Sequence, residues 1–168
     1  MGARTIVSPQ DYLNMSFDGP DREYVDGEVV ERNMGEAQHS EIQGRLIEIF
    51  YELRKVKALF ARPELRLRLR EATYRIPDVS VFAGAPPAES VPSTPPYIVI
   101  EIVSPDDRYT ALVEKLGEYR AWGVSHVWLI DPQTRKLAEY GADGLRFVHS
   151  LAMPEHNAEL SAADIFPV

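Results

Sequence analysis

Two carboxylates fall where carboxylates are expensive. Asp78 stands at the mouth of one apolar run, Arg75-Ile76-Pro77-Asp78-Val79-Ser80-Val81-Phe82. Glu101 stands inside another, Tyr97-Ile98-Val99-Ile100-Glu101-Ile102-Val103. A charge buried in such a run needs an ionic partner or a metal. If the two runs are neighbouring strands, both acids reach one hard cation. Mg²⁺ takes oxygen ligands of this kind and keeps several waters for chemistry. A plainer account also fits, with Asp78 capping a turn and Glu101 facing solvent or an arginine. Spacing alone leaves both open.

Lys115 is the next group with chemical potential. On a helical wheel Tyr109, Leu112, Leu116, Tyr119 and Trp122 share one arc, and Lys115 falls inside it. Its ammonium either snorkels outward over apolar surface or aims at an anion beneath the helix. His39 lies three residues before Ile42, in line with the apolar stripe of an earlier helix, where a hydrogen-bonded core histidine is the ordinary reading. Glu28 follows the turn dipeptide Asp26-Gly27, a position where an exposed acid is the default. Arg66, Arg68 and Arg70 alternate with Leu65, Leu67 and Leu69. That arginine face could meet phosphate, or serve as a solvated sheet face paired with acids elsewhere.

Several chemistries are excluded. There is no cysteine, hence no disulfide, thiolate zinc site or cysteine nucleophile, which fits a reducing cytoplasm. Neither G-x-G-x-x-G, G-x-x-x-x-G-K-[ST] nor H-E-x-x-H occurs. Gly123-Val124-Ser125-His126-Val127 lacks the last glycine of a nucleophile elbow and leads into a strand.

The elements that must position these groups can be read from pattern. Ser8-Pro9-Gln10-Asp11 opens a short helix. Arg22–Val25 and Glu28–Arg32 flank Asp26-Gly27 as a hairpin. Residues 35 to about 59 read as a long helix, with Ile42, Leu46, Ile49, Phe50 and Leu53 along one stripe. Strands are expected over 65–70, 79–82, 97–103 and 126–130, with a closing hairpin over 136–140 and 145–148. Ser104-Pro105-Asp106-Asp107 repeats the cap signature and predicts a second helix ending near Gly123. Residues 84–96 hold five prolines and read as an exposed, semi-rigid loop. The expected fold class is α/β (α+β), a mixed sheet flanked by helices in one domain over residues 1–168.

The chain has 168 residues and a formal net charge of −8. Its charge is unevenly spread: residues 54–75 carry +6 and the remainder −14. An acidic balance argues against a broad nucleic-acid footprint, while the basic segment marks where anions could meet the surface. No apolar run is long enough to cross a bilayer and no secretory h-region is present, so no membrane partner is expected.

The ordered set Asp26-Gly27-Glu28-Val29-Val30, His39, Pro77-Asp78-Val79, Ile100-Glu101-Ile102-Val103-Ser104-Pro105, Lys115, Tyr119 and Gly123-Val124 through Trp128-Leu129-Ile130-Asp131-Pro132 resembles a known family. It is similar to the Uma-two family of restriction-endonuclease-like proteins in the PD-(D/E)XK nuclease superfamily, over nearly the whole chain. The resemblance implies a restriction-endonuclease-like core in which Asp78 and Glu101 bind Mg²⁺ or Mn²⁺. The superfamily lysine two residues after the glutamate is here Val103, and the resemblance assigns its role to Lys115. Glu28 and His39 match accessory positions. The implied function is a metal-dependent endonuclease hydrolysing phosphodiester bonds in nucleic acid, DNA first, in the cytoplasm, with a homodimer left open. Two other classes stay open: a non-catalytic DNA- or protein-interaction module on the same fold, and a metal-dependent hydrolase of a small phosphate ester.

Overall fold

The computed structural model describes residues 6–33 and 35–166. Its centre is a six-stranded mixed sheet. The strands are β3 (Leu59–Pro63), β6 (Val79–Ala83), β7 (Ile98–Ile102), β8 (His126–Asp131), β9 (Lys136–Gly141) and β10 (Gly144–Val148), in the order β10-β9-β8-β7-β6-β3. Only β7 and β8 run parallel, and the helix α3 (Tyr109–Trp122) connects them. A parallel pair needs such a crossover, whereas the antiparallel neighbours are joined by shorter connections.

Two helices cover the two faces. Period-2 alternation sends Ile98, Ile100 and Ile102 of β7 to one side, where they pack with Ile42, Leu46 and Phe50 of α2 (Ala37–Lys57). Val99 points the other way, with Leu116 and Tyr119 of α3. Glu101 therefore belongs to the α3 face of a strand buried at all five positions.

A second, four-stranded antiparallel sheet closes one end of the molecule. It orders β2 (Glu28–Val30), β1 (Glu23–Val25), β5 (Thr73–Arg75) and β4 (Leu67–Arg70). Tyr12 of α1 (Pro9–Asn14), Tyr24 and Tyr74 stack into its own small core. At the β1–β2 turn Asp26 and Gly27 have φ of 50° and 89°, the paired positive values that a tight hairpin turn demands. A last hairpin, β11 (Ser150–Met153) and β12 (Ala158–Ser161), leads to α4 (Ala162–Ile165), whose Ser161 and Asp164 form a capping box.

Four expectations differ from this fold. The long helix stops at Lys57 because Ala58 turns left-handed at φ 52°, and β3 starts at Leu59. No glycine or proline signals that stop. Helix α3 begins only after Arg108, because the Ser104 amide donates to Asp107 Oδ2 at 2.7 Å and residues 104–107 form a turn. Strand β5 and the β11–β12 hairpin go unannounced, since Glu71-Ala72 and the one helical turn Pro154–His156 carry no glycine turn signal. The proline-rich loop is not wholly exposed: Pro92 and Pro96 are buried, and the Pro92 carbonyl accepts the Arg68 amide at 2.8 Å.

Candidate active site

The register that pairs Val79 with Ile100 sets Asp78 opposite Glu101, and directly opposed residues project to the same face. The backbone reinforces this: Asp78 Oδ2 accepts the Ile102 amide at 2.7 Å. Both acids are about 5% exposed. They sit in a cleft of about 400 Å³ whose lining includes Glu23, Arg32, His39, Arg75, Asp78, Glu101 and Lys115.

Lys115 settles the choice that its helical position left open. Its ammonium lies 2.8 Å from Glu101 Oε1 and 2.9 Å from Glu23 Oε1, so it aims inward at anions. Tyr119, one helical turn on, donates its hydroxyl to the same Glu101 oxygen at 2.8 Å. Burial pushes the Glu101 carboxyl up, Lys115 counters this, and Asp78 and Glu23 add to the rise. Lys115 stays an ammonium: burial lowers it, but Glu101, Glu23 and Asp78 together hold it above its ordinary value. Burial, with Glu101 beside it, keeps the Tyr119 phenol protonated well above its usual range.

His39 comes from the first turn of α2, and its Nε2 lies 3.2 Å from Asp78 Oδ1. Burial lowers this imidazole, and the contact with Asp78 and the charge of Glu101 overcome that, for a net rise. Gly35 makes the approach of the ring feasible. A Cβ there would lie 2.6 Å from His39 Nδ1. Arg32, leaving the β1–β2 hairpin, places a guanidinium nitrogen 3.5 Å from the same Asp78 oxygen.

The structure thus brings together Asp78, Glu101, Lys115 and His39. Glu28 stands elsewhere, on the hairpin strand paired with Val25 and outside the cleft lining. The acid that the hairpin sends into the cleft is Glu23, five residues earlier, which is buried at 4%. Sequence reading missed Glu23, Arg32 and Arg75. The available signal for Glu23 was alternation on a strand too short, at three residues, to show a period.

The arginine face is largely engaged. Arg66 lies over the Tyr12 ring at 4.9 Å and 3.3 Å from Asp21, and Arg70 pairs with Asp26 at 2.8 Å. Arg75, the end of the basic segment, is held by Glu23 and Glu118. Arg68 is exposed.

As a donor set for a metal, Asp78 and Glu101 supply the hard oxygens that Mg²⁺ or Mn²⁺ takes. Among the described residues no three His, Asp or Glu side chains form a ready cage for an ion. Two carboxylates with water completing the shell suit a cation that keeps its waters. Also among the described residues, no helix is long and apolar enough to cross a membrane.

Comparison with solved structures gives a crystal structure described as "a putative nuclease belonging to DUF820" from Anabaena variabilis. It superposes with a TM-score of 0.82 at 23% identity, covering 95% of this chain and 97% of that one. At that identity the likeness speaks for the fold. No curated protein matches the chain. Residues 9–167 match the Uma2 family, described as "Putative restriction endonuclease", so the chain belongs to that family.

Proposed function

We propose that the protein is a divalent-metal-dependent endonuclease that hydrolyses phosphodiester bonds, with DNA as its first substrate. The observation that carries this is the convergence on one cleft of two opposed buried carboxylates, Asp78 and Glu101, and the Lys115 ammonium 2.8 Å from Glu101. A bound Mg²⁺ or Mn²⁺ would polarise the phosphoryl oxygen and acidify a water. Asp78 and Glu101 would hold it, and the Ile102 amide fixes the Asp78 carboxylate through a 2.7 Å hydrogen bond. Lys115 provides fixed positive charge for the developing negative charge of the transition state. His39 and Arg32 orient Asp78 from the other side. The neighbouring solved structure, described as "a putative nuclease", supports the same reading by fold.

A hydrolase of a small phosphate ester is the second reading. It is favoured by one observation: Arg66, Arg70 and Arg75 are spent on acids rather than offered to a polymer backbone.

The test is nicking of supercoiled plasmid with Mg²⁺, Mn²⁺ or chelator, with bis(p-nitrophenyl) phosphate as the small ester. We expect nicking that requires the metal and is abolished by Asp78→Asn or Glu101→Gln with the fold retained. Each change removes an anionic ligand at nearly constant volume, and Mg²⁺ accepts few neutral substitutes at such a site. Metal-independent nicking, or Asp78→Asn nicking as fast as wild type, overturns the reading. Cleavage of the small ester alone transfers the site to the second one.

A further inference from the structure

Glu23 is the buried acid of the cleft that the proposed chemistry does not use. Both of its oxygens are committed. Oε1 accepts Lys115 Nζ at 2.9 Å and the Ile76 amide at 2.8 Å, and Oε2 accepts Arg75 Nη1 at 2.9 Å. Arg75 turns its other edge to Glu118 in a bidentate contact, with Nε at 2.8 Å and Nη2 at 3.0 Å.

These four residues form a chain of alternating sign, Lys115–Glu23–Arg75–Glu118, that two kinds of secondary structure impose. The register Tyr24↔Tyr74 and Val25↔Thr73 places Glu23 directly across from Arg75 on β1 and β5. Lys115 and Glu118 are three apart on α3, one above the other on the same helical face. An antiparallel cross-strand pair therefore meets an i,i+3 helical pair, acid to base at each contact. Ile76, the residue after β5, adds its amide to the same acid. Burial raises Glu23, but Lys115, Arg75 and the Ile76 amide outweigh it and hold the carboxyl below its ordinary value.

Lys115 is the end of this chain shared with the reaction centre, because Glu101 holds the same ammonium at 2.8 Å. With Glu101 as sole partner, the lysine would follow that oxygen and lose its station whenever the oxygen took another partner. Glu23 gives it a second anchor on a different sheet.

We propose that Glu23 is a positioning residue: braced by Arg75, which Glu118 holds in turn, it stations the Lys115 ammonium beside Glu101 independently of what Glu101 binds. This rests on the endonuclease reading only for its catalytic consequence. The placement of Lys115 can be tested without it.

The experiment compares wild type, Glu23→Gln, Lys115→Met and the double variant by plasmid nicking with Mn²⁺, by melting, and by NMR of the Lys115 side-chain ¹⁵Nζ resonance. We expect Glu23→Gln to lower kcat about 10- to 100-fold, as loss of a supporting partner does, with KM nearly unchanged. In the Lys115→Met background the same change should cost almost nothing further. The wild-type ammonium resonance should be in slow exchange and broaden away in Glu23→Gln.

A full additional loss in the Lys115→Met background overturns the proposal, since Glu23 would then act without the lysine. So does an unchanged ammonium resonance in Glu23→Gln. If wild type does not nick, the endonuclease reading fails and the resonance still decides the placement. If Glu23→Gln does not fold, Glu118→Gln loosens the Arg75 that braces Glu23; it should broaden the same resonance, and an unaltered signal overturns the proposal.

Discussion

At each end of β7 a carboxylate meets a tyrosine and a basic group, and the two assemblies behave oppositely. At the β7 C-terminal end Glu101 accepts the Tyr119 hydroxyl at 2.8 Å and the Lys115 ammonium at 2.8 Å. At the other end Glu155 accepts the Tyr97 hydroxyl at 2.6 Å and faces His126 Nε2 at 3.1 Å. The donor chemistry is nearly the same. Glu101 nevertheless sits above the ordinary carboxylate range, while the Tyr97 hydrogen bond, followed by a backbone hydrogen bond and then the contact with His126, takes Glu155 down to about 2. The difference is water. The Glu101 side chain is 7% exposed and that of Glu155 is 57% exposed. Burial converts a clip between surface groups into a store of charge that needs permanent compensation.

The largest break in that comparison should come from removing the compensating charge. Lys115→Met keeps the stem and deletes the ammonium, leaving Glu101 and Asp78 buried without it. We expect a loss of about 3–5 kcal/mol near pH 8, the cost of breaking a buried pair from one side. The sign with pH follows from the raised carboxyl of Glu101. A folded-state pKa above the unfolded value means that the folded state binds protons more readily, so the penalty is full above the folded pKa and fades as pH falls towards the unfolded one. Urea melts of the variant should therefore approach wild type by pH 5. A deficit equal at pH 8 and pH 5 would show that lost packing, not uncompensated charge, is responsible.

A matched pair of smaller changes sharpens the contrast. Tyr119→Phe and Tyr97→Phe delete one hydroxyl at each end. The first removes a donor to a buried carboxylate and should cost about 1.5–3 kcal/mol, the range for hydrogen bonds to charged groups. The second exposes Glu155 to water that replaces the lost donor, and should cost under about 1 kcal/mol. Equal losses in thermal melts would deny burial its role.

What the sequence disclosed follows the same division. Asp78 and Glu101 were legible because a charge in an apolar strand contradicts its surroundings, and the strands themselves were long enough to recognise. Lys115 was legible as an anomaly on a helix face, though its direction was not. Glu23 and Arg75 were hidden, because their strands are three residues each and their partnership spans 52 positions of chain. The basic segment was visible as charge, yet its neutralisation by Asp21, Glu23 and Asp26 depends on how the hairpin folds back, which composition does not encode. Glu28 was a candidate through the family resemblance alone, since its place beside the turn made an exposed acid the default, and a turn fixes where a chain reverses rather than which acid faces inward.

The smallest expected effect belongs to the exposed end and concerns acid. Glu155 has its pKa lowered to about 2 by the Tyr97 hydroxyl first and by His126 among the further causes. A carboxyl lowered by folding stabilises the native state at pH values above its unfolded pKa, and that contribution is lost as pH falls through the folded value. For Glu155 the window runs from the ordinary glutamate range near 4.5 down to about 2. Glu155→Gln should leave stability within about 1 kcal/mol of wild type near pH 7, as befits an exposed pair screened by solvent. Below pH 4.5 the variant should lose less on further acidification than wild type does, so the two melting curves converge towards pH 2. Raised salt should also narrow the gap at pH 7, because screening acts on the exposed end and spares the buried one. Parallel curves across that window would mean that Glu155 keeps the same proton affinity folded and unfolded, and the two ends of β7 would then differ in more than their access to water.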